Sequence, residues 1–131
     1  MIKWYSANGL TANQALSPAQ NYKWKILRLV AYIVTSTGSG TREVVVYLDV
    51  QNITGTMIQF VPSISSTLAV SGDYVATGGD VAAAGLGGAA SAYQQWGSPP
   101  VIGSQDQILI RYTLISGDLG GYYLEVEEEL A

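Results

Sequence analysis

Three stretches of this chain carry a period-two pattern in which every second residue is apolar, and a period of two belongs to the β-strand. In "REVVVYLDV", Val44, Val46, Leu48 and Val50 share one face, while Glu43, Val45, Tyr47 and Asp49 share the other. In "DQILIRYTLI", Ile108, Ile110, Tyr112 and Leu114 alternate with Gln107, Leu109, Arg111 and Thr113. In "GYYLEVEEEL", Tyr122, Leu124 and Val126 point one way and Tyr123, Glu125, Glu127 and Glu129 the other. Each of these strands has one face to bury, so the fold needs a second layer.

A fourth stretch, "YKWKILRLVAYIVTS", is apolar on both faces. Strict alternation puts Leu27, Leu29, Ala31 and Ile33 on one side and Trp24, Ile26, Val30, Tyr32 and Val34 on the other. Its β-branched and aromatic content favours a strand over a helix. Such a strand wants two covers, an opposing sheet on one side and a loop or neighbouring subunit on the other. The connections read as turns: "STGSGT" (36–41) as a hairpin loop, "QNITGT" with Asn52 and Gly55 suited to positive φ, and "ISGDLGG" before the last strand. "MIQFVP" reads as a short strand through Ile58 and Phe60 that ends at Pro62, and "STLAV" as another. Without an amphipathic helix, the pattern indicates a single all-β domain, residues 1–131, an antiparallel β-sandwich of seven or eight strands. Periodicity leaves jelly-roll, immunoglobulin-like and small-barrel topologies open.

Charged residues make up 12% of the chain, about half the usual share. Little then repels an approaching apolar patch, which favours association with copies of the chain or with a partner. The net charge is −4 and the six basic residues are scattered, so no basic footprint for nucleic acid is present. Cysteine and histidine are both absent. That removes thiolate nucleophiles, the commonest general base and the commonest metal ligand, so neither an enzyme nor a cofactor is expected. No apolar run is long enough to span a bilayer and "MIKWYSANGL" lacks a signal-peptide core, so neither membrane attachment nor a cleaved signal is expected.

"GGDVAAAGLGGAAS" (78–91) contains G-x-G-x-x-A at Gly85, Gly87 and Ala90. A dinucleotide fingerprint needs a strand before it and a helix after it within a βαβ unit, and the flanks here read as strands. Residues 76–92 are expected to be a Gly/Ala-rich surface loop able to pack closely against another protein. Glu125, Glu127 and Glu129 read as a solvated strand face that discourages edge pairing. Asp49, Asp73, Asp80, Asp106 and Asp118 sit in or beside turn-like sequence and read as turn formers. Trp4, Trp24 and Trp96, with nine tyrosines, could also build a sugar-stacking platform.

The layout resembles the small jelly-roll structural proteins of tailed bacteriophages, of the head decoration or minor capsid type. The matching features are "WKILRLVAYIVTS", a small-residue turn, "TREVVVYLDV", the Trp–Pro segment "YQQWGSPPVIGSQDQILIRYTL" and the ending "GGYYLEVEEEL". The resemblance implies a non-enzymatic virion protein, assembled in the host cytoplasm, that binds itself and a major capsid protein, with a trimer the favoured oligomer. The two-faced strand and the Trp–Pro segment make Trp24, Val30, Tyr32 and Trp96 the candidate subunit or partner contacts. A carbohydrate- or receptor-binding module is the alternative.

Overall fold

The computed structural model describes residues 1–36, 41–52, 57–66, 73–79, 90–95 and 99–131. Ten strands run through them: β1 (Ile2–Leu10), β2 (Gln14–Leu16), β3 (Tyr22–Val34), β4 (Arg42–Asp49), β5 (Met57–Ser66), β6 (Asp73–Gly79), β7 (Ala90–Gln95), β8 (Val101–Gly103), β9 (Gln107–Thr113) and β10 (Leu119–Leu130). One sheet has the order β1-β10-β3-β6-β7, with β8 also paired to β3; the other has the order β2-β9-β4-β5. All pairs are antiparallel except β6–β7.

The two sheets form the antiparallel β-sandwich that the alternation indicates. The pairing is nested: β1 with β10, β2 with β9, β3 with β6, and β4 with β5. The chain therefore pairs like one long hairpin, bent between β4 and β5 and rolled across both sheets. Between the sheets lie Ile26, Leu29, Ala31 and Ile33 from β3, Val44 and Val46 from β4, Ile108 and Ile110 from β9, and Leu124 and Val126 from β10, all fully buried. Each buried Val, Leu or Ile contributes about 1.5–3 kcal/mol relative to exposure.

Several local expectations change. β1, β2, β6, β7 and β8 are not marked by the pattern and bring the strand count to ten among the described residues, while residues 67–70 of the expected strand "STLAV" lie outside them. β5 does not stop at Pro62: its register against β4 moves from Val44↔Ile64 to Val46↔Val61, leaving Pro62 in a bulge on a sheet-edge strand. A proline without a donor is tolerated at such a place. Val50 leaves the sheet in a short 3₁₀ turn (Val50–Asn52), and the positive φ falls on Gln51. The segment 76–92 is not loop throughout. Its ends belong to β6 and β7, which run parallel side by side, and residues 80–89 lie outside the described residues.

One end of the sandwich is closed by a buried ion pair. Arg42 Nε and Nη2 donate to Asp118 at 2.7 and 3.1 Å, and the Asp118 carboxylate also accepts the Ser36 and Ile115 amides at 2.7 and 2.9 Å. Both side chains are fully buried. Burial alone would raise the Asp118 pKa, but the bonds from Arg42 and the two amides outweigh it and hold the carboxyl well below its usual range. The aspartate thus forms the turn its sequence suggests, and it also ties the segment after β3 to the turn before β10. Asp106 is a simpler turn aspartate, accepting the Gly103 and Gln51 amides at 2.9 and 2.8 Å.

Candidate interaction surface

The outer face of β1, β10 and β3 holds two of the four expected contact residues. A bulge separates them from a third. Opposite Glu125 and Val126 of β10 stand Arg28 and Ile26 of β3, so Leu27 is an extra residue without a partner. The bulge shifts the alternation by one. Trp24 and Ile26 consequently share the inner face with Leu29, Ala31 and Ile33, and Trp24 is only 3% exposed. Trp24 is therefore a core residue and not a partner contact. Val30 and Tyr32 stay on the outer face, half-buried. Trp96 lies outside the described residues.

The outer face is built in rows, each joining a β3 residue to its β10 neighbour. Lys23 and Lys25 stand opposite Glu129 and Glu127 and form ion pairs at 3.7 and 3.8 Å. Arg28 stands opposite Glu125, which completes a basic column on β3 beside an acidic column on β10. Farther along, Val30 stands opposite Tyr123 and Val34 opposite Leu119. Trp4 of β1 is 53% exposed, and its ring lies 5.2 Å from that of Tyr123, tilted by 41°. Between the apolar rows, Tyr32 faces Gly121. A side-chain carbon at position 121 would collide with the end of the Tyr32 ring, so that ring lies flat across β10. The result is a low surface, charged at one end and aromatic at the other.

The inner face has its own polar cluster where the sandwich opens near β2. Alternation turns Glu128 inward, and its carboxylate meets Lys3 Nζ at 2.7 Å and accepts Trp24 Nε1 at 2.8 Å and the Tyr5 hydroxyl at 3.3 Å. The bonds from Lys3 and Trp24 lower the Glu128 pKa, and the bond to Glu128 raises that of Lys3. Burial, with Glu128 nearby, raises the Tyr5 hydroxyl. These groups line a cavity of about 550 Å³ together with Tyr22 and the Leu16–Ser17 segment. With Trp24 almost fully covered, the cavity presents no indole face for stacking, and the carboxylate is already engaged by three donors.

Sequence reasoning placed Val30 and Tyr32 correctly at the surface but missed Trp4, Tyr123 and Leu119 as their neighbours. The alternation of "GYYLEV" exposes Tyr123, yet the Trp4 contact depends on pairing the two ends of the chain. Among the described residues no group of three or more acidic side chains is arranged to hold a metal ion. The fold and this face define an all-β sandwich with one flat, partly aromatic sheet surface. The chain matches no family model, no curated protein and no solved structure.

Proposed function

We propose that this protein is a non-enzymatic structural protein of a virion, a capsid decoration or minor capsid protein that associates with copies of itself and with a major capsid protein. The nested strand pairing carries the reading. Sheet orders β1-β10-β3-β6 and β2-β9-β4-β5, with β7 and β8 added, support a jelly-roll reading of the sandwich. The outer face supports it, because Val30, Tyr32, Tyr123 and Trp4 form an apolar patch on a chain with few charges to repel a partner. A symmetric oligomer repeats such a patch around an axis, and each copy uses it.

The test is the solution mass of wild type and Tyr32→Lys by light scattering coupled to size exclusion. An oligomer that Tyr32→Lys disperses without unfolding supports self-association through this face, and an oligomer of unchanged mass removes Tyr32 from it. One observation favours the second reading, a carbohydrate-binding module: the tilted Trp4–Tyr123 ring pair is open to solvent. A glycan array on which wild type binds and Trp4→Ala does not would select that reading.

A further inference from the structure

We propose that the outer face of β1, β10 and β3 is covered by a second copy of this chain, related by a two-fold axis running along the strands between β3 and β10. The proposal rests on the self-association reading above and adds its geometry. A rotation about such an axis leaves every row at its own height and exchanges the two columns. The β3 residue of one copy then faces the β10 residue of the same row in the other copy.

This operation suits the rows of this face. Lys25 meets the Glu127 of the other copy and Lys23 its Glu129, while the Val30 row meets the Tyr123 row. A basic column beside an acidic one is its own complement under this axis, and an isologous contact requires that self-complementarity. A two-fold axis across the strands has the opposite consequence. It lays the basic column over a basic column and the charged end over the aromatic end.

Shape and size agree. The Tyr32 ring lies down over Gly121 instead of standing up, so the face is flat enough for sheets to stack about 10 Å apart. From the Leu119–Val34 row to the Glu129–Lys23 row the face is about 34 Å long, at about 3.4 Å per residue. The β10–β3 pair that the axis exchanges gives about 330 Å² per copy, and β1 lying over the strands beyond β3 in the other copy brings the total to on the order of 1,000 Å², where specific interfaces begin. The trimer expected from sequence needs two different patches that complement each other, whereas this face supplies its own complement and closes as a pair.

The experiment uses two variants, Lys23→Glu/Lys25→Glu and Glu127→Lys/Glu129→Lys. All four side chains are 36–45% exposed, so the fold tolerates the changes. Alone, each variant sets like charges opposite each other across the axis. Mixed one to one, they set opposite charges there. The proposal expects wild type to be a dimer by native mass spectrometry, each variant to dimerise at least tenfold more weakly, and the mixture to recover a heterodimer. A dimer whose affinity the substitutions leave unchanged, or a mixture that gains nothing over its components, overturns the geometry while leaving self-association standing. A wild type that stays monomeric overturns the self-association reading as well.

Discussion

Gly120 and Gly121 are neighbours in β10, and each lies against a tyrosine ring, but on opposite faces of the sheet. Inside, the Tyr112 ring rests on Gly120 and its hydroxyl donates to the Gly121 carbonyl at 2.7 Å. Burial pushes the Tyr112 pKa well above its usual value. Outside, the Tyr32 ring lies over Gly121 with its other side turned away from the sheet. The inner ring is held between the two sheets, while among the described residues the outer one rests on the strand beneath it. The inner face is thus finished by folding, and the outer face is the one proposed to meet a second copy.

The largest expected effect breaks the closed side of this comparison. Asp118→Ala leaves Arg42 buried without its carboxylate, and removing one partner of a buried ion pair typically lowers stability by about 3–5 kcal/mol. Urea unfolding measures that loss, and Glu128→Ala, at a cluster open to a cavity, should lose less. The pH dependence has a definite sign. Because the folded Asp118 pKa lies below the unfolded value of about 3.9, its contribution is complete above that pH and is lost as pH falls towards the folded value. The urea midpoint of wild type should therefore fall more steeply below about pH 4 than that of Asp118→Ala.

A smaller effect separates the two glycines. A methyl at position 120 would come within 2.9 Å of the Tyr112 ring, which the core prevents from moving. Gly120→Ala should lower stability by about 1–3 kcal/mol, the usual range for overpacking. Gly121→Ala meets only the free end of the Tyr32 ring, which can swing away. Its stability should stay within about 0.5 kcal/mol of wild type, while the raised ring roughens the outer face and weakens self-association. Equal stability losses for the two variants would erase the distinction between the faces.

The alternation of "REVVVYLDV", "DQILIRYTLI" and "GYYLEVEEEL" made three central strands and their inner faces legible, because one-sided burial is written directly in a period of two. The bulge at Leu27 was not legible. It exists because β3 must keep register with β10, a pairing across about a hundred residues, and it moved Trp24 from an expected contact into the core. β1 was missed for a related reason. "IKWYSANGL" turns Lys3, Tyr5 and Ala7 inward, a weakly apolar set that makes sense only once Glu128 stands beside Lys3 and Tyr5. Local pattern shows which residues avoid water; it does not show which distant strand they meet.

The central claim is that the outer face of β1, β10 and β3 is covered in solution by a second copy, and lysine acetylation read by mass spectrometry at low and high protein concentration tests it most directly. The chain has three lysines. Lys23 and Lys25 stand on the outer face, and Lys3 turns to the inner face beside Glu128. The account predicts that concentrating the protein protects Lys23 and Lys25 while Lys3 labels at an unchanged rate. Equal labelling of Lys23 and Lys25 at both concentrations, with the protein dimeric at the higher one, would place the contact elsewhere and contradict it.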